Sequence, residues 1–148
     1  MVAVGRGRDT ATDTLFADYA RRCTWPIRLV EVQAKDSVPP ERRKAAEADL
    51  LLASVPAGAV VAALDERGRD LTSPEFARRL EGWRDQGHRG AAFLIGGADG
   101  LDERACAAAG LHLAFGRQTW PHRLVRVMLA EQLYRATTIL AGHPYHRA

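Results

Sequence analysis

Ala59-Val60-Val61-Ala62-Ala63-Leu64 is a run of six residues without one polar side chain, and Ala91-Ala92-Phe93-Leu94-Ile95 is a second run of five. Continuous apolar runs this short fit parallel strands covered on both faces, because a strand with one wet face would alternate. Between them, Ser73 can cap the free amides of a helix and Pro74 suits its first position. That helix runs to about Gln86, with Gly87 as its terminator. Strand, helix and strand in this order make a βαβ unit, and the unit sets the fold.

The same alternation continues in both directions. Val2–Val4 reads as a strand, with a turn around Gly5 and Gly7. A helix over Thr12–Cys23 follows, with Leu15, Phe16, Tyr19 and Ala20 at helical spacing. Ile27–Val32 is a second strand, Ala34–Pro40 a loop, and Glu41–Ser54 a helix with Ala45, Ala48, Leu51 and Leu52 on its apolar side. Beyond Ile95, Gly96-Gly97-Ala98-Asp99-Gly100 leads into a short Ala-rich helix capped by Asp102 and ending at Gly110. Leu111–Phe115 is the last strand, and Pro121 opens a long helix that ends near Gly142. Five strands alternating with five helices predict an α/β fold, a mostly parallel sheet with helices on both faces, in one domain over residues 1–148.

A length of 148 residues suits one domain, and 47% apolar with 26% charged residues excludes a disordered or collagen-like chain. Cys23 and Cys106 are too few for a disulfide framework and lie at no metal-ligand spacing, so reduced thiols and no metal are expected. Met1–Gly5 is too short for a signal peptide's apolar core. Arg126, Glu131 and Arg135 interrupt the longest apolar-rich stretch, Leu124–Leu140, which excludes an ordinary membrane span. The expectation is a cytoplasmic protein. A net charge of +3 conceals an asymmetry: from Arg104 onward stand six Arg and one acid, Glu131. Four of the five histidines also lie at or beyond His112. The last third is therefore expected to face an anion.

In parallel sheets ligands bind beyond the carboxyl ends of the strands, a test met by the residues after Leu64, Ile95 and Phe115. The Gly96 loop has neither Walker nor GxGxxG spacing, so it reads either as a tight turn or as backbone that lets a ligand approach. At the opening of the last helix, Thr119-Trp120-Pro121-His122-Arg123-Leu124-Val125-Arg126 places three potential cations where the macrodipole prefers anions. Such a start either binds an anion or is simply solvated. The tail His143-Pro144-Tyr145-His146-Arg147 offers stacking, proton transfer and phosphate pairing, or is a frayed end. In the last helix Val125, Leu129, Leu133, Ala136 and Leu140 form one stripe, which Leu124, Val127, Met128 and Tyr134 widen. That width fits a second subunit or a fully internal helix.

Leu94-Ile95-Gly96-Gly97-Ala98-Asp99-Gly100-Leu101, Thr119 to Val127, Glu131-Gln132-Leu133-Tyr134-Arg135-Ala136 and the tail together resemble the bacterial large-subunit (23S) rRNA pseudouridine-N3 methyltransferases of the SPOUT class. The resemblance covers the whole chain and is densest in the last third. It implies a homodimer with a C-terminal trefoil knot that holds S-adenosylmethionine. Carried over by position, Leu64, Gly96, Gly97 and the segment Leu113, Ala114, Phe115, Gly116, Arg117 and Gln118 would bind the cofactor. His122, Tyr145 and His146 would be catalytic, and Arg123, Arg126 and Arg147 would contact RNA, in part across the dimer interface. The family often has Ser and Met where this chain has Gly116-Arg117-Gln118, which puts side-chain contacts there in question but not main-chain ones. Either His146 or His122 has the intrinsic pKa of a base for the pseudouridine N3 proton. The implied partner is ribosomal RNA on the assembled ribosome. Two other readings stand beside this one: a non-catalytic dimeric RNA-binding protein, and a small nucleotide-binding regulatory module using the Gly96 loop.

Overall fold

The structure, a computed structural model, describes residues 1–6 and 10–147, and the side chains of residues 146 and 147 fall outside that description. The turn expected at Gly7 lies outside the described residues. Five strands form one sheet: β1 Val2–Val4, β2 Val30–Val32, β3 Ala59–Asp70, β4 Gly90–Ile95 and β5 Leu111–Ala114. Their order is β2-β1-β4-β3-β5, and every pairing is parallel. The helices are α1 Thr10–Arg22, α2 Pro40–Ala53, α3 Ser73–Asp85, α4 Glu103–Ala107 and α5 His122–Leu140, with a single 3-10 turn at Pro144–Arg147.

Period-two alternation divides the strand residues between two cores. Ala3, Ala62, Phe93 and Ile95 join Phe76, Leu80 and Trp83 of α3 and Leu129, Leu133 and Ala136 of α5. Val2, Val4, Ala63 and Leu94 face the other way, onto Ala48 and Leu51 of α2 and Ala105 of α4. Both faces are thus covered, which is why the apolar runs lack polar residues.

Apart from shifts of two or three residues at the start of α1 and the end of α4, three boundaries depart from the sequence expectation. The cap of α3 is Thr72 rather than Ser73: its hydroxyl accepts the Glu75 amide at 3.4 Å, while Glu75 accepts the Thr72 amide at 2.8 Å. Ser73 instead donates to Gln132 of α5 at 2.8 Å. Strand β2 starts at Val30, not Ile27, because β1 alongside it is only three residues long. Finally, β3 does not end at Leu64. It pairs with β5 through Leu64 opposite Leu113, departs, and pairs again through Arg69 opposite the same Leu113 and Asp70 opposite Ala114. A Cβ added to Gly68 would lie 2.8 Å from main-chain atoms of His112 and Leu113, so this excursion presses on the β5 backbone itself. One segment folded about another in this way is compatible with the knotted topology that the resemblance implies.

The width of α5 is largely used within the chain. It lies between α1 and α3, with Leu129, Ala130, Leu133 and Ala136 buried. Leu124 remains 40% exposed. The surplus expected for a second subunit is therefore smaller than the helix's sequence predicts.

Candidate active site

The carboxyl ends of β3, β4 and β5 open into a cleft of about 840 Å³, within the size range of small-molecule sites. Its walls include Leu64, Gly96, Gly97, Leu113, Phe115 and His122. Ala114, Gly116 and Gln118 line it too, whereas Arg117 is exposed on the same loop and does not. Eight of the nine residues expected to bind a cofactor thus converge on one cavity.

Backbone chemistry dominates this cavity. Gly96 is buried, and a Cβ there would fall 2.5 Å from the carbonyl carbon of Gly100, so no larger residue fits the loop. The loop closes on itself through the Gly100 amide and the Gly97 carbonyl at 3.1 Å. Gly116 has φ of +87° with open space around its missing Cβ, which leaves its main chain accessible. The 115–120 loop is latched onto the β3 extension. The Gly116 amide donates to Asp70 at 3.0 Å, the Thr119 hydroxyl donates to Glu66 at 2.9 Å, and the Trp120 indole donates to the Phe115 carbonyl at 2.9 Å. Asp65 at the cleft wall is held at a pKa of about 2, chiefly by hydrogen bonds from the Arg67 guanidinium. Apolar strand ends, glycine main chain and fixed carboxylates suit an adenine ring, a polar amino-acid part and a positively charged sulfur in turn. These residues fit S-adenosylmethionine.

His122 begins α5 at the cleft rim, its Nε2 only 3.1 Å from where a Gly5 Cβ would stand. Burial, then the cations of Arg126 and Arg123, push its pKa below the ordinary 6.5, so the neutral imidazole is favoured. Arg123 stands 3.7 Å from Asp13 of α1.

Arg126 corrects the sequence expectation. Far from facing RNA, it is 3% exposed and pinned by Glu31 at 2.6 Å, the Val4 carbonyl at 2.9 Å and the Gly5 carbonyl at 3.0 Å. It ties α5 to the carboxyl end of β1. The charge asymmetry is also partly cancelled in space, since Arg104 pairs with Asp49 and Asp102, and Arg135 with Glu131.

Tyr145 does not reach the cleft of its own chain. Its hydroxyl donates to Glu131 at 3.3 Å, its ring meets Tyr134 edge-on at 4.7 Å, and burial with the Glu131 charge pushes its pKa up to about 12. Glu131 and Tyr134 lie about three turns along α5 from His122, roughly 15 Å at the helical rise. The side chains of His146 and Arg147 lie outside the described residues. Among the described residues no three His, Cys, Asp or Glu side chains group as a metal site, and no helix is long and apolar enough to cross a membrane.

The sequence places the residues after Leu64 at the ligand end of the sheet, but not as the continuation of β3 that holds the 115–120 loop through Glu66 and Asp70. Asp65-Glu66-Arg67-Gly68-Arg69-Asp70 contains no apolar residue and so reads as a surface loop. The lone glycine among charges was the available signal of a close backbone approach. Glu31 was missed as well, since no local pattern links it to Arg126.

Residues 1–146 match the family described as Predicted SPOUT methyltransferase. The chain belongs to the SPOUT methyltransferase family. Its curated relatives include three proteins named Ribosomal RNA large subunit methyltransferase H. That of Rhodospirillum centenum is 59% identical over 148 residues, covering all of this chain and 97% of the relative. That of Paramagnetospirillum magneticum is 53% identical over 147 residues and that of Ruegeria pomeroyi 50% over 155, each covering 99% of this chain and 97% of the relative. The Gly96 loop is built as a tight turn beside the cleft rather than as a phosphate cradle. The geometry agrees: α4 has only five residues, and the Asp102 carboxylate already accepts the Arg104 amide at 3.0 Å.

Proposed function

We propose that this protein methylates N3 of a pseudouridine in large-subunit ribosomal RNA, with S-adenosylmethionine as the donor, and that it acts as a homodimer on the assembled ribosome in the cytoplasm. The observation that carries this reading is the glycine-walled cleft at the ends of β3, β4 and β5, with a deprotonation-prone histidine at its rim. When bound, S-adenosylmethionine supplies an electrophilic methyl group on a sulfonium. Leu64, Leu113 and Phe115 would wall it, and the main chain at Gly96, Gly97 and the Gly116 carbonyl, which line the same cleft, would offer it hydrogen bonds. Arg117 is left out of the cofactor set on geometry, although its backbone remains in the loop.

His122 in its neutral form can take the imide proton of the target base. Holding N3 in line with the methyl group supplies much of the remaining acceleration. Tyr145, His146 and Arg147 are assigned to the cleft of the partner copy, because Tyr145 sits about three helical turns from His122 in its own chain. Arg123 and Arg147 are the phosphate contacts in this reading, and Arg126 is not. The exposed Leu124 and Trp120 beside the cleft mouth supply apolar surface for the second copy.

Transfer of labelled methyl to ribosomes from cells lacking this modification, with naked rRNA as the comparison, tests the reading. Transfer to N3 of pseudouridine on ribosomes supports it. Cofactor binding without transfer to any ribosomal RNA refutes it. Calorimetry that detects ATP but not S-adenosylmethionine would favour the regulatory module, and binding of neither would favour the RNA adaptor.

A further inference from the structure

We propose that Arg22, at the end of α1, is a positioning residue for methyl transfer: with Tyr19 and Tyr134 it cages Tyr145, and so fixes the turn that carries His146 and Arg147. The inference rests on the reading that the tail serves the partner's cleft, which the tail then enters from the place where Tyr145 is held.

The tail folds back along α5 rather than fraying, and the backbone shows why. Helix α5 is capped at Ala141, and Gly142 takes a φ of +66°, the left-handed conformation. The Gly142 amide donates to the Ile139 carbonyl at 3.1 Å and the His143 amide to the Thr138 carbonyl at 2.8 Å. This pair of bonds is the Schellman arrangement, which satisfies the last helical carbonyls and turns the chain. Beyond Pro144, the Tyr145 amide donates to Nδ1 of His143 at 3.2 Å. The reversal lays the Tyr145 ring on Tyr134 and its hydroxyl on Glu131.

Helix α1 closes the other side. The Arg22 guanidinium lies 4.5 Å from the centre of the Tyr134 ring, 5.5 Å from that of Tyr19 and 5.6 Å from that of Tyr145. It also donates to the Tyr134 hydroxyl at 3.3 Å and pairs with Asp18, one turn back on α1, at 3.3 Å. Arg135, itself paired with Glu131, lies 5.0 Å from the Tyr145 ring. A cation within about 6 Å of an aromatic ring centre is attracted by the ring's quadrupole. Tyr145 therefore sits between two guanidinium groups, and the Arg22 side chain ties α1, α5 and the tail together.

Little of this supports the core. Helix α1 buries no residue, Arg22 keeps 38% of its side-chain exposure, and Tyr19, Tyr134 and Tyr145 are only partly buried. What the cage fixes is where the tail stands. Turnover is sensitive to such placement in a way that global stability is not.

The test uses the full chain with Arg22→Ala, Arg22→Lys and, as a control, Arg21→Ala, whose guanidinium pairs with the same Asp18 at 2.6 Å but is 79% exposed. Chymotrypsin cleavage after Tyr145, followed by mass, reads the cage. Single-turnover methyl transfer to ribosomes and calorimetry with S-adenosylmethionine read its consequence. Arg22→Ala should speed cleavage and slow transfer by about tenfold or more each, with cofactor affinity within about threefold and Tm within about 3 °C. Arg22→Lys keeps a cation over the rings without the planar fork and should recover part of both losses, while Arg21→Ala should change neither. Unchanged cleavage in Arg22→Ala, faster cleavage with transfer undiminished, or transfer and cofactor affinity lost in step overturns the proposal and leaves the methylation reading standing. No transfer by the unaltered protein overturns both.

Discussion

Replacing Arg126 by Ala separates a strut from an RNA contact. The guanidinium is 3% exposed and makes three polar contacts, two of them to carbonyls at the end of β1 and one to Glu31. Removing one partner of a buried ion pair costs about 3–5 kcal/mol. The Glu31 side chain, however, keeps 34% of its exposure and can rehydrate, which favours the lower end, about 3 kcal/mol. For a chain of this size that loss lowers Tm by roughly 6–12 °C. Glu31→Gln should cost about 2–3 kcal/mol, because both carbonyl bonds survive but the buried guanidinium loses its counter-charge. Urea unfolding followed by tryptophan fluorescence measures both variants, and a salt titration of RNA binding is run on the same samples below the melting range. A well-folded Arg126→Ala protein with unchanged Tm, weaker RNA binding and a salt slope reduced by about one would refute the structural role and restore the phosphate contact.

His122→Ala should lower turnover by about a hundredfold or more while leaving S-adenosylmethionine affinity within about threefold, measured by single-turnover kinetics and calorimetry; equal losses in both would remove it as the base. Because the folded pKa of His122 lies below 6.5, the neutral form persists as pH falls through that value, so the acid limb of the rate profile should lie below 6.5. Gly68→Ala puts a methyl 2.8 Å from the β5 backbone and should destabilise the fold by about 3 kcal/mol or more in urea unfolding. Asp65 has its folded pKa lowered from 3.8 to about 2, so its contribution to stability is present above pH 3.8 and lost as pH falls toward 2. Asp65→Asn should flatten the acid side of the stability curve in that window, and an unchanged acid limb would dissociate the Asp65–Arg67 pair from folding.

The parallel α/β layering, the strand and helix order and the place of the glycine loop were legible in the chain. Each rests on local facts: Ala59 to Leu64 and Ala91 to Ile95 have no wet face, proline and Asp102 mark helix starts, and three glycines in five positions follow Ile95. Local pattern also located the cleft, because loops at the carboxyl ends of neighbouring parallel strands must converge. What the chain could not specify alone were contacts between residues far apart in sequence. Arg126 looks like surface cation beside His122, yet Glu31 and the end of β1, some 95 to 122 positions away, bury it. The α5 face fits either a second subunit or an internal helix in sequence, and α1 and α3 cover much of it within the chain. Charged residues 65–70 look like a loop until β5 lies against them, and Tyr145 and His122 share an expected role until α5 sets them about three turns apart in one chain. Sequence periodicity specifies which face of an element is buried. Only the closed structure decides which distant residue lies against it, since that choice depends on the packing of all the elements together.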